Sequence, residues 1–178
     1  KEICSLGLEI YKLRISQLNS INSQLKSLKN DHKFQFNVRL EIDDDFYNKS
    51  IDYEKYLLNL QNSRVYDKQY GGIKIGPHRS DFISKINNDF EASLLSTGQQ
   101  KTVVLMILLS QCNYLVCERN INPIILFDEI GSHLDSNNRQ ILLDMINRFK
   151  IQFFLTGTDK NSFSFVSTKA KFYNITEI

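Results

Sequence analysis

The chain has no tryptophan, only two prolines, seven glycines and three cysteines in 178 residues. The cysteines (Cys4, Cys112 and Cys117) are too sparse for a disulfide framework and lack metal-ligand spacing, which fits free thiols in a reducing compartment. A strong excess of charge of one sign is missing as well. Lys and Arg number 22 against 20 Asp and Glu, a net +2, so bulk electrostatics announce no nucleic-acid partner and leave room only for a local basic face. The longest apolar run, residues 103–109, falls far short of a membrane span, and no signal peptide is visible. Tyr and Phe are frequent but do not interleave with basic residues, as a stacking platform for single strands requires. Also absent is a G-x-x-x-x-G-K-[ST] loop, whose backbone N–H groups and lysine wrap a nucleotide's phosphates; Gly76 leads into Pro77 and not into a lysine.

What is present reads as one globular core of ordinary size with a helical appendage. Residues 1–30 are polar with regular aliphatics. Leu18, Ile21, Leu25 and Leu28 keep a 3-4-3 seam on one helix face, while Gly7 and Arg14 weaken its upstream extension, so the spacing predicts a packed arm and not a long coiled coil. The chain opens on Lys1 inside this pattern, as a fragment would. "FQFNVRLEI" alternates Phe34, Phe36, Val38, Leu40 and Ile42 on one face of a strand, and Asp43, Asp44 and Asp45 follow as a solvated turn. Ser50 is a candidate cap for a helix to about Gln61 with Tyr53, Leu57 and Leu60 inward. The character changes near Gly71-Gly72. "IKI" and "DFISKI" read as strands, and "NND" at 87–89 as a hairpin turn. A long buried helix follows from about Gln99 to Arg119. "IILF" reads as a buried parallel strand, then a helix capped by Asp135 or Ser136 carries Ile141, Leu142, Met145, Ile146 and Phe149 on one stripe. "QFFLT" and "KFYNI" complete the strands. Strand, helix and strand in succession imply an α/β class with parallel pairing.

Two stretches carry chemistry. The strand "IILF" ends in Asp128 and Glu129, and ligands of α/β sheets bind at the carboxyl ends of strands. Two adjacent acids suit a division of labour: Asp128 toward hydrated Mg²⁺, Glu129 toward an attacking water. Chance acids where a strand meets solvent would look the same. In "LLSTGQQKTVVL" the helix begins on a polar foot, Ser96, Thr97, Gly98 and Gln99. Its free N–H groups and dipole make an anion site, Gly98 admits a close backbone approach and Ser96 adds a hydroxyl. An ordinary cap by Ser96 or Thr97 explains the same residues, and both readings stand at this point.

Order joins the two. An S-x-G-Q helix start about thirty residues before an aliphatic strand ending in Asp-Glu, then "SHLD" at 132–135, resembles the signature motif, Walker B strand and D-loop of ABC-type ATPases. With "GIKIGPHRSDF" at 72–82 and "FFLTGTD" at 153–159, the set resembles the RecF family of bacterial DNA replication and repair ATPases. Arg64 and Asp67 fit the pattern too. The likeness is dense over residues 62–159 and one of layout alone before that. It implies an ABC-type α/β lobe at 71–178, its C-terminal half, preceded at 1–70 by the remainder of a helical second lobe.

The resemblance further implies ATP and Mg²⁺ as cofactors, with Asp128 on the metal and Glu129 as base. It places Ser96, Thr97, Gly98, Gln99, Asp135 and Thr156 against nucleotide, the signature reaching across to ATP held by a second subunit. Implied partners are DNA, double-stranded and gapped or single-stranded, an ATP-dependent homodimer, and RecR and RecO-type mediators of recombinase loading, with a cytoplasmic location, no membrane and a place in the SOS response. The family's phosphate loop lies near its N-terminus, outside this chain, so the chain alone is expected neither to bind ATP tightly nor to hydrolyse it. Two departures stand out: Asp-Glu where many RecF sequences have Asp-Asp, and Thr156-Gly157-Thr158-Asp159 where transporters place a histidine. His78 and Arg79 follow a Gly-Pro turn, and Arg79 is read as pairing either a phosphate or Asp81; His133 is read as a packing or interface residue. Lys26, Lys29 and Lys33 read as a solvated helix face more readily than as phosphate contacts. A chromosome-maintenance or Rad50-like ATPase, disfavoured by the short seam, and a non-enzymatic truncated remnant are the rival readings.

Overall fold

The computed structural model describes residues 1–32, 37–44, 52–129, 135–166 and 170–175. They form two compact units, Lys1–Leu95 and Ser96–Ile178. By compactness the Asp81–Glu91 hairpin belongs with the first unit, whereas the change in sequence character lies at residue 70.

In the first unit, α1 (Glu2–His32) packs against β1 (Val38–Asp43) and α2 (Tyr53–Tyr70). The expected seam is there, with Ile21, Leu25 and Leu28 buried, and it does not stop upstream. Cys4, Gly7 and Tyr11 continue the same 3-4 spacing as buried positions. Gly7 fits because Tyr56 of α2 fills its place: a Cβ there would lie 2.6 Å from the Tyr56 hydroxyl oxygen. Arg14 fits because its guanidinium donates to the Pro77 carbonyl. The rings of Tyr11 and Tyr56 meet edge to face at 6.1 Å, and with Cys4 they form a small core against which Leu8, Leu57, Leu60 and Ile75 pack. Tyr56, not Tyr53, is the inward tyrosine of α2, and Asp52 is its cap, accepting from Lys55 N at 2.8 Å. The expected cap, Ser50, lies outside the described residues, as do Phe34 and Phe36. The helix also runs on past Gln61 to Tyr70.

The antiparallel sheet β1–β2–β3 adds β2 (Asp81–Ile86) and β3 (Phe90–Glu91). The three residues 87–89 connect β2 to β3; Asn87 (φ 52°) and Asn88 (φ 67°) both take left-handed backbone, which asparagine tolerates, at the centre of a turn closed by Asp89 N donating to Ile86 O at 3.0 Å. On the far edge of β1, Asn22 of α1 acts as a missing strand: its Nδ2 donates to Leu40 O at 2.9 Å and its Oδ1 accepts from Leu40 N at 2.8 Å. Asp44 is not a solvated turn residue. Half-buried, it accepts from the Tyr11 hydroxyl at 2.7 Å and from Ser80 Oγ. "IKI" at 73–75 forms no strand. Asp67 holds that segment in a turn, Oδ1 accepting from Lys74 N at 3.0 Å and Oδ2 from Ser63 Oγ at 2.9 Å, across Gly71 and Gly72, whose φ angles of +70° and +74° favour glycine.

The second unit begins with α3 (Thr97–Asn113), whose last turn widens into a π-helical turn at Tyr114–Glu118. Then come β4 (Ile124–Phe127), α4 (Ser136–Arg148), β5 (Gln152–Leu155) and a 3₁₀ segment, Lys160–Val166, which lays Phe163 and Val166 on α4. β4 and β5 pair in parallel, as the strand-helix-strand order predicts. "KFYNI" adds no strand. The stripe on α4 is confirmed at Ile141, Leu142 and Phe149, with Met145 outside the described side chains. Val103, Leu105, Met106 and Leu109 of α3 are buried, but Val104 and Leu108 are exposed, so the helix is not buried all round. Nor are the parallel strands: Ile124, Leu126 and Phe154 share one sheet face and are 57%, 74% and 49% exposed. The three cysteines are free, and burial pushes the Cys112 thiol up to about 11.

Candidate active site

The register of the parallel pair builds the acidic end of the site. Phe127 stands opposite Leu155, so the next residues, Asp128 and Thr156, leave the carboxyl ends of neighbouring strands together. Thr156 N donates to Phe127 O at 2.9 Å, which extends the ladder by one step. The Thr156 hydroxyl then donates to Asp128 Oδ1 and accepts from the Glu129 backbone N–H at 2.9 Å. One hydroxyl therefore fixes both acids, one through its side chain and one through its main chain. Glu129 takes φ +52°, a left-handed conformation that costs a glutamate about 1 kcal/mol or more and that collects at functional sites. Both carboxylates are exposed.

The polar foot of α3 is built as a capping box. Ser96 Oγ accepts from Gln99 N at 3.4 Å, and Gln99 Oε1 accepts from Ser96 N at 3.1 Å. Of the two candidate caps, Ser96 is the cap, Thr97 is the first helical residue, and Gln99 completes the box. Yet Ser96, Thr97, Gly98 and Gln99 are all exposed, and a Cβ built on Gly98 meets nothing within 4 Å. Nothing inside the described chain requires a glycine there. Asp135 caps α4, its Oδ1 accepting from Asn138 N at 2.8 Å.

The expected site residues thus fall into two hydrogen-bonded groups in one unit: Asp128, Glu129 and Thr156 at the strand ends, and Ser96 to Gln99 with Asp135 at the helix starts. His78 and Arg79 belong to the other unit, where His78 Nε2 bonds Ile73 O at 2.7 Å. Asp81 Oδ1 accepts from Phe82 N, and no Arg79–Asp81 ion pair occurs among the described residues. Ser132 and His133 lie outside the described residues. Sequence reading missed Thr102 and Asn138, which join the foot of α3 to the cap of α4. Thr102 lies four residues beyond Gly98, a back-bonding distance on a helix, but Asn138 gives no sequence signal.

The donor set suits a hard cation held jointly with a nucleotide. Asp128 and the Thr156 hydroxyl offer oxygen only, and no group of three or more His, Cys, Asp or Glu side chains among the described residues is placed to hold a metal by itself. Mg²⁺ ordinarily takes one or two carboxylates, waters and phosphate oxygens, which matches so sparse a set.

A family model described as "AAA domain, putative AbiEii toxin, Type IV TA system" matches residues 7–156. The chain belongs to this AAA-domain family. Among the curated proteins that it resembles are RecF proteins. This AAA-domain chain is 29% identical over 180 residues to the DNA replication and repair protein RecF of Agrobacterium fabrum, covering 98% of the chain and 48% of that protein. It is 31% identical over 182 residues to the protein of the same name from Rhizobium johnstonii, covering 99% and 49%. A solved structure titled "Structure of the recombination mediator protein RecF-ATP in RecFOR pathway" superposes with a TM-score of 0.67 at 27% identity, over 90% of this chain and 45% of that one. The chain is RecF-type in sequence and fold, and spans about half the length of the relatives it matches. The expected fold class, an ABC-type ATPase lobe with part of a helical lobe before it, is borne out by this likeness.

Proposed function

We propose that this chain supplies the acidic half of one ATP site and the signature surface for another in a RecF-like, DNA-binding ATPase of replication and recombinational repair. The observation that supports this best is the Thr156 hydroxyl, which ties Asp128 and Glu129 together at the carboxyl ends of two parallel strands. Asp128, with its oxygen-only surroundings, would hold Mg²⁺ together with the nucleotide's phosphates, and the ion would supply charge neutralisation on the leaving phosphates. Glu129, exposed and in left-handed backbone, orients the attacking water and takes its proton. Ser96 to Gln99 present the free N–H groups of α3 to a γ-phosphate held by a second subunit. Asp135 stands at the same junction. ATP then joins two copies on DNA near gaps, and loss of the γ-phosphate contact releases them. Recombinase loading with RecR and RecO-type mediators, and the cytoplasmic setting and SOS role that go with it, belong to the same reading.

The phosphate-wrapping loop is not in this sequence, so the chain by itself is expected to show no ATP turnover. Joined to a segment that carries such a loop, it is expected to hydrolyse ATP, and Glu129→Gln is expected to lower kcat about a hundredfold or more while ATP binding persists. A steady-state phosphate-release assay on both forms checks this. Turnover by the chain alone that disappears in Glu129→Gln refutes the split-site reading; full activity of Glu129→Gln in the joined form refutes the base.

A further inference from the structure

We infer that Asn138 is a positioning residue that locks the foot of α3 to the cap of α4, so that Gly98 and Asp135 move as one. Asn138 is the third residue of α4 and only 2% exposed. Its backbone N–H donates to Asp135 Oδ1 at 2.8 Å, and its side-chain Nδ2 donates to Thr102 Oγ1 at 2.9 Å. Thr102 in turn donates to the Gly98 carbonyl at 3.2 Å. The relay has one direction. A hydroxyl has a single proton, and Thr102 spends it on Gly98 O, so it can only accept from Asn138, which sets the amide with Nδ2 toward α3. The other amide atom, Oδ1, is buried with no hydrogen-bond partner among the described residues.

That imbalance argues against a purely stabilising role. A buried polar atom without a partner costs about 1–3 kcal/mol, and a leucine of similar volume would avoid that cost beside the buried Ile141 and Leu142. A leucine would keep the backbone N–H that Asp135 accepts, but it would lose the side-chain donor to Thr102, which is what ties the cap of α4 to the foot of α3. The inference rests on the proposed function in one respect: there, Ser96 to Gly98 and Asp135 face the same subunit junction. A rigid link between them makes engagement of the signature by nucleotide and placement of the cap at Asp135 a single event. Without it, each could adjust alone and ATP would be held in a less productive geometry.

The test uses the protein that carries this chain joined to its phosphate-loop segment, with variants Asn138→Leu, Thr102→Val, Thr102→Ser and the Asn138→Leu/Thr102→Val pair. Amide hydrogen exchange over residues 97–102 is expected to quicken about tenfold in Asn138→Leu and Thr102→Val and to stay at the parent rate in Thr102→Ser. In steady-state assays, kcat is expected to fall about tenfold in the same two variants with KM within twofold, and Thr102→Ser is expected to keep full kcat. The double variant is expected to be no worse than either single one, because both cut the same relay. Unchanged exchange in Asn138→Leu or Thr102→Val overturns the link, as does a loss in Thr102→Ser equal to that in Thr102→Val. Quickened exchange with parent kcat and ATP-dependent dimerisation overturns its role in turnover. Should Asn138→Leu fail to fold, the valine and serine variants at Thr102 decide the outcome alone. Glu129→Gln, run alongside, separates the two levels: its full activity would remove the ATPase reading, whereas the exchange result stands apart from it.

Discussion

The two units use polar side chains in opposite ways. In the first, the acids and amides that look available in sequence are consumed internally. Asp44 serves Tyr11 and Ser80, Asp67 serves Ser63 and Lys74, and Asn22 serves both backbone groups of Leu40. In the second, Asp128, Glu129 and the Ser96–Gln99 foot are held by hydrogen bonds yet remain exposed, and apolar Ile124, Leu126 and Phe154 stand open on the same sheet. A polar group buried in a satisfied network is explained by the fold that contains it. A polar group that the fold aims and leaves exposed is placed where a ligand can reach it. Under the proposed function, residues 1–95 do scaffold work and residues 96–178 carry the chemistry.

Two glycines test that contrast, and the larger effect is expected at Gly98. A Cβ there meets nothing within 4 Å, so Gly98→Ala should leave stability unchanged or raise it by about 0.5–1 kcal/mol through helix propensity. If a phosphate approaches that backbone from a second subunit, the same methyl should cut ATP-driven dimerisation and kcat of the joined protein about a hundredfold, the scale of losing one aimed donor. Thermal melts beside light scattering with ATP check both halves. A variant that dimerises and turns over normally would leave the foot of α3 as an ordinary cap.

Gly7 should behave the other way round. A Cβ there overlaps the Tyr56 ring, with 2.6 Å to its oxygen and 2.8 Å to Cε1, and the ring is locked in the Cys4–Tyr11 core. Gly7→Val is expected to destabilise the first unit by about 2–3 kcal/mol through overpacking, read as a lower denaturant midpoint in the isolated chain. If it melts like the parent, the Tyr56 ring is free to move and the first unit is less closed than the contrast requires.

How far the sequence discloses each unit follows from the same difference. The acidic strand end was legible because a short apolar run, a proline before it and two acids after it state the strand, its direction and its exit. The helix start at Ser96 was legible because capping chemistry is local, although the true first helical residue is Thr97 and not Gln99. The first unit was harder. Gly7 and Arg14 look like breaks in a seam when apolar residues alone are counted, yet one admits a ring from α2 and the other answers a carbonyl 63 residues away. Asp44 looks solvated because its partners, Tyr11 and Ser80, are distant in sequence. "KFYNI" is rich in residues that favour strands and still forms no strand, since strand propensity does not supply a neighbour to pair with. Asn138 was invisible because its role depends on two helices meeting.

The smallest effect concerns the closed network itself and appears only in alkali. Burial, then the hydrogen bond to Asp44, raises the Tyr11 hydroxyl above its ordinary 10.0, and burial raises that of Tyr56. A proton held more tightly in the folded state than in the unfolded one gives stability that is fully present below about pH 10, the unfolded value, and is lost as pH rises beyond it, because only the unfolded chain can then ionise freely. The two tyrosines are therefore expected to cost the chain nothing from pH 7 to about 9.5 and about 1–2 kcal/mol by pH 11, on top of an earlier loss, from about pH 9, that the raised Cys112 thiol brings in the second unit. Tyr11→Phe should cost about 1 kcal/mol at neutral pH, since the Asp44 carboxylate loses one donor, and should also make the alkaline fall shallower. Curves for parent and variant that run parallel through pH 11 would mean that the Tyr11 hydroxyl is as accessible folded as unfolded, and the first unit would then be open where Asp44 is taken to close it.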